Sequence, residues 1–147
     1  MYERILVGVD GSTPAMLALD EAVRLAKAQG AKLRIVHVVD EGLVVPPEVP
    51  SFNLGETETR RQERGRAVLE AARERARREG VEPETILLEE VTHQPGRLIV
   101  EQAREWPASL IVCGTHGWHG IRRLLLGSDS EYVLRHTPVP VLFVRAK

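Results

Sequence analysis

The sequence predicts an α/β fold, a three-layer α/β/α sandwich around a parallel sheet, and two observations carry that expectation. Short apolar runs rich in β-branched residues recur at Ile5 to Val9, Leu33 to Val39, Leu110 to Cys113 and Val139 to Val144, and helix-like patterns fill the intervals between them. These runs are nearly continuous in hydrophobicity rather than alternating, which is how strands read when both faces of a parallel sheet are covered. A more mixed run, Thr85 to Val91, supplies a strand nearer an edge, so the order reads βαβαβαβαβ. One helix per crossover makes each unit a right-handed βαβ, and such units assemble into a doubly wound sheet.

Each intervening segment has its own helical signals. Ser12 or Thr13 can cap the first helix with Pro14 in its opening turn; Ala15, Leu19, Ala22, Val23 and Ala26 then share a face until Gly30 stops it. From Thr59 a charge-rich helix carries a thin apolar stripe of Val68, Leu69, Ala72 and Ala76, with its first two turns solvated and Gly80 beyond its end. A third helix fits Gly96 to Glu105, burying Leu98, Ile99 and Ala103, and a fourth fits Asp129 to His136. At 147 residues, and with no internal repeat, the chain reads as a single domain over 1–147.

Charge and cysteine content exclude several classes. A formal net charge of -1 gives no global field to recruit nucleic acid or an anionic membrane, so any anion site must be local. No aromatic and basic stacking face suggests nucleic acid either. The single Cys113 cannot form an internal disulfide, the start "MYERILVGVDGS" lacks a signal peptide's apolar core, and no apolar run approaches membrane-spanning length. A cytoplasmic location is expected.

In a doubly wound sheet, ligands bind outside the carboxyl ends of the strands, where strand order reverses. That directs attention to three loops: Asp10 to Thr13, Asp40 to Gly55, which has the length and prolines of a flap, and Gly114 to Gly127. The third contains glycines at 114, 117, 120 and 127. Glycine lets backbone N–H groups converge on an anion, and "SDSE" from Ser128 to Glu131 reads as a capping box at the start of the next helix. Free N–H groups at a helix start, with the positive end of its dipole, suit phosphate, so the loop reads as a phosphate cradle. It has no GxxxxGK[ST] lysine and is not a P-loop.

Gly114, Gly117, Gly127 and Ser128 together spell G-x2-G-x9-G-S. With "ILVGVDGS" at the start, "IVHVVD" ending the second strand, and "SLIVCGTHGWHGIRRLLLGSDSEYVLRHTPVPVLFVR" at the end, the sequence resembles the universal stress protein family, in its nucleotide-binding branch, over nearly the whole chain. The resemblance implies a Rossmann-like sheet of five parallel strands, of the adenine nucleotide alpha hydrolase type, in the order 3-2-1-4-5. It also implies ATP, or ADP or AMP, at the switch point, with Mg2+ as a companion of the phosphates. Nucleotide-binding positions carried over are Gly8, Val9, Asp10, Val38, Cys113, Gly114, Thr115, His116, Gly117, Arg123, Gly127, Ser128, Asp129 and Ser130. Among these, Asp10 is expected near the ribose, the Val38 backbone at the adenine edge, Gly114 and Gly117 close to ribose and phosphates, and Gly127, Ser128 and Ser130 on the phosphate tail. A local reading of Asp10 stands beside this one: with Gly11 it can simply make the turn into the first helix.

One residue departs from the family pattern. Asp129 stands where a small or apolar residue is usual, and an acid beside a triphosphate implies a metal between them, or fewer phosphates, or a side chain turned away. Arg122 and Arg123 offer forks for phosphate but also suit a solvated face. His116 and His119 lack the further ligands of a zinc site, and Cys113 at a buried strand end reads as a small hydrophobe rather than a nucleophile. Nothing in the pattern demands catalysis, so slow ATP hydrolysis is the most the sequence supports. An ATP pyrophosphatase would carry an SGGxDS-like loop where this chain has "VDGSTP". The resemblance further implies a homodimer through the C-terminal edge strand, with Val139, Val141 and Phe143 as candidate contacts; alternation equally allows these side chains to face the protein's own helices. A nucleotide-independent interaction module is the competing reading.

Overall fold

The computed structural model of the chain describes residues 1–40, 54–90, 94–115 and 128–145. Its elements run β1 (Arg4–Gly8), α1 (Thr13–Gln29), β2 (Lys32–Asp40), α2 (Leu54–Arg78), β3 (Glu84–Glu90), α3 (Pro95–Glu105), β4 (Leu110–Gly114), α4 (Ser128–His136) and β5 (Val141–Val144). All neighbouring strands pair in parallel, in the order β3-β2-β1-β4-β5, with β1 between β2 and β4. Expected class and strand order are both present. No helix among the described residues is long and apolar enough to cross a membrane.

Two cores flank the sheet. On one face α1 and α2 cover Ile5, Val7, Leu33, Ile35, Leu110 and Val112, while on the other α3 and α4 cover Leu6, Val36 and Ile111. Alternate residues of the same strands thus feed both layers, which is why the strand runs are apolar without a break. The Ser12 hydroxyl caps α1 by accepting from Ala15 N at 3.3 Å, Pro14 lies in the first turn, and Gly30 ends the helix in the left-handed region at φ 63°.

Element ends differ from expectation for local reasons. The second helix begins at Leu54, before Thr59, so the expected flap loses its last residues to α2, and the remainder, 41–53, lies outside the described residues. In α3, Val100 is buried with Ile99 and Ala103, whereas Leu98 is only half-buried. The last strand starts at Val141 rather than Val139. Pro138 and Pro140 have no N–H to donate, and the Thr137 hydroxyl engages both backbone groups of Val139, accepting from its N at 3.2 Å and donating to its O.

Candidate functional site

The β1 end is pinned in a way that leaves the Val38 backbone without a β1 partner among the described residues. Val9 N donates to Val36 O at 2.8 Å, continuing the β1–β2 ladder one step past the strand. The next step would use Val9 O, but that oxygen lies 2.7 Å from His37 Nδ1. A carbonyl only accepts, so Nδ1 carries the proton and His37 is the donor. Alternation along β2 turns the N–H and C=O of Val38 the same way as those of Val36, toward β1, just beyond the point where the ladder stops. Donor and acceptor of one peptide strand therefore face the crevice side by side. The Val38 side chain meanwhile packs into the α3/α4 core.

Beyond Val9 the chain turns sharply. Asp10 Oδ1 accepts from Ser12 N at 2.9 Å, and Gly11 between them has φ +83°. This is an Asx turn leading into the Ser12 cap, so the local reading of Asp10 is realised, with one carboxylate oxygen engaged. Gly8 closes β1 opposite Val36.

At the end of β4, Gly114 has a packing reason to be glycine. A Cβ there would lie 2.5 Å from Pro14 O and 3.0 Å from Ala15 N, so the first turn of α1 rests directly on its backbone. Thr115 is tied to the edge strand, its N donating to Val144 O at 3.0 Å. Cys113 packs against the α3/α4 core, where burial, and then the charge of Asp129, push its thiol up to about 12. It stays protonated at neutral pH, in keeping with a small hydrophobe.

The start of α4 is joined to both neighbours. Ser130 Oγ donates to Gly114 O at 3.2 Å. Asp129 Oδ1 accepts from Gly96 N at 3.1 Å, and a Cβ on Gly96 would stand 2.7 Å from Asp129 O. The N-cap residue of α3, Gln94, makes no side-chain capping bond, so Asp129 supplies an acceptor that α3 lacks in its own sequence. The Asp129 side chain is thus engaged with the start of α3. Glu131 accepts from Arg135 Nη2 at 2.7 Å, one turn along the helix, and the expected capping box with Ser128 lies outside the described side chains.

Several sequence-derived positions, His116, Gly117, Arg123 and Gly127, lie outside the described residues, as does the side chain of Ser128. The proposed edge contacts Val139 and Val141 pack half-buried against the α3/α4 core, and Phe143 is half-buried. The exposed apolar residue of β5 is Leu142, at 36%. Sequence reasoning missed His37 and Gly96. Only the first left a trace, as a lone polar residue within the apolar run "IVHVV".

Comparison with known proteins gives a consistent result. The universal stress protein family matches residues 1–145. Universal stress protein YxiE of Bacillus subtilis (strain 168) is 38% identical over 151 residues, covering 99% of this chain and 100% of that protein. Among solved structures, a universal stress protein in complex with cAMP is 28% identical, with TM-score 0.72 and 99% of each chain covered. The universal stress protein from Archaeoglobus fulgidus in complex with dAMP is 28% identical, with TM-score 0.65, covering 97% of this chain and 98% of that one.

Proposed function

The chain belongs to the universal stress protein family, and on that premise we propose that it is a nucleotide-responsive regulatory module that binds an adenine nucleotide above the carboxyl ends of β1, β2 and β4. The observation that carries this reading is the interrupted ladder at Val38. An adenine ring presents an acceptor nitrogen beside an amino donor, the complement of the backbone N–H and C=O that Val38 turns toward the crevice once His37 has engaged Val9 O. Relatives solved with cAMP and dAMP share that ring and differ in sugar and phosphate, which supports a site organised around adenine.

In this reading Gly8 and Val9 border the ring, and Asp10 accepts from the ribose with the oxygen that Ser12 does not occupy. Gly114, Thr115, His116, Gly117 and Arg123 run along sugar and phosphate, and Gly127, Ser128 and Ser130 meet the phosphate at the α4 start. Cys113 is a wall residue. ATP, ADP and AMP all belong to the ligand class, with Mg2+ accompanying the longer phosphates. Binding rather than turnover is the function, in a cytoplasmic homodimer joined along β5.

The test is calorimetric titration of AMP, ADP and ATP, with and without Mg2+, into wild type, Asp10→Asn and Gly117→Val. Asp10→Asn keeps the acceptor for Ser12 N and removes the charge, so the variant should stay folded and bind ribonucleotides about tenfold more weakly. Gly117→Val should abolish binding with the circular dichroism spectrum unchanged. A folded wild type that binds none of the three would overturn the reading in favour of a nucleotide-independent interaction module.

A further inference from the structure

The end of the β1–β2 ladder is decided by a competition for one oxygen. Gly8 lies opposite Val36 in register, and Val9 N donates to Val36 O at 2.8 Å. Parallel pairing would continue with Val38 N–H donating to Val9 O. Instead Val9 O receives the Nδ1–H of His37 at 2.7 Å, and Val38 N has no partner on β1 among the described residues. Val9 is only 4% exposed, so its carbonyl must find its partner within the protein, from one donor or the other. The winning donor is held from behind. Gly65 in α2 presents bare backbone to the opposite edge of the ring: a Cβ there would stand 2.9 Å from His37 Cδ2, 2.9 Å from Leu87 Cδ1 and 3.1 Å from Val39 Cγ2. The imidazole is thus wedged between α2 and the end of β1, with its N–H on the ladder's next acceptor.

We propose that His37 is a positioning residue that sets base choice, holding the Val38 peptide edge open so that the site takes adenine and rejects an oxopurine such as hypoxanthine. This rests on the adenine-nucleotide reading above and deepens it. His37 touches no nucleotide in this scheme and acts through Val9 O. An open Val38 offers N–H beside C=O, which pair with the ring nitrogen and the amino group of adenine. Hypoxanthine inverts that edge: its ring nitrogen carries a hydrogen and its oxygen accepts, so donor meets donor and acceptor meets acceptor. With Val38 N–H spent on Val9 O, both bases would face a single carbonyl and the discrimination would shrink.

Two measurements test it, amide hydrogen exchange without nucleotide and calorimetric titration of AMP and IMP, on wild type, His37→Phe and His37→Asn. Phenylalanine keeps the ring and removes the donor; asparagine loses the ring but can place its amide N–H where Nδ1–H stands. In wild type the Val38 amide should exchange at least about tenfold faster than that of Val36, and His37→Phe should slow it about tenfold. Wild type should favour AMP over IMP by about tenfold or more, His37→Phe should shrink that ratio about tenfold, and His37→Asn, although less stable, should restore it. A residue that only filled space would give the reverse order, with phenylalanine retaining the ratio and asparagine losing it, and that result overturns the proposal. So does a wild type with no preference between AMP and IMP. Should His37→Phe fail to fold, wild type alone still decides, because a Val38 amide that exchanges as slowly as that of Val36 means that the edge is already closed. Those failures leave AMP binding intact, whereas a folded wild type that binds neither AMP nor IMP removes both readings together.

Discussion

On the α1/α2 face the helices meet the sheet through small apolar side chains, whereas on the α3/α4 face a smaller apolar core is stitched by polar bonds. Ala18, Ala22, Ala72 and Ala76 are fully buried on the first face, with Leu19 and Val23 beside them. The second has the Asp129–Gly96 and Ser130–Gly114 bonds near its top. Lower down, Arg34 donates to buried Gln102 at 3.1 Å and stacks over Trp106 at 4.7 Å, and Arg104 reaches His136 O at 3.3 Å. Apolar burial is roughly proportional to area and indifferent to direction, while hydrogen bonds fix orientation. One layer thus supplies most of the stability, and the other holds the start of α4 in a single attitude.

That contrast can be broken from either side. The largest effect is expected at Leu19, which is fully buried against β1 and α2 neighbours. Leu19→Ala should cost about 2–5 kcal/mol in chemical denaturation, a large part of a typical domain's stability. Next comes Gly96→Ala. Its Cβ must displace Asp129 backbone, not the tip of a flexible side chain, so the loss should be about 1–3 kcal/mol despite alanine's better helix propensity. A nearly neutral result would mean that the α3–α4 contact is loose and that the second layer is no more directional than the first. The smallest effect belongs to the rim of the first layer, where Arg75 holds Asp20 through two bonds of 2.6 Å but both side chains are well exposed. Asp20→Asn should lose less than about 1 kcal/mol, and the difference should fade in high salt.

The layered fold was legible because its signals are local. Continuous apolar strand runs, the Ser12 cap with Pro14, and Gly30 each announce an element within a few residues. What escaped the sequence depends on distant partners. Gly96 and Asp129 are 33 residues apart, and neither position alone says that one is small because the other approaches. Gly114 was read as a glycine of the proposed binding loop, yet the contact that requires it comes from Pro14, far earlier in the chain. Likewise Val38 stood out only by resemblance; its open backbone follows from His37 reaching across to Val9. Asp10 was read both ways from the start, and its turn is now explicit while its meeting with a ribose remains part of the proposal.

The C-terminal border of the sheet has a consequence for crowded solution. Pro140 O and Val144 O face β4, receiving Ile111 N and Thr115 N, so alternation turns the backbone of Val141 and Phe143 outward. Just before them, the Thr137 hydroxyl occupies both polar groups of Val139. An incoming strand therefore meets prolines and a hydroxyl plug on the N-terminal side of this outward-facing backbone, which limits backbone pairing there. Any association along this border would also engage the exposed side chain of Leu142, which makes it a matter of fit between particular surfaces.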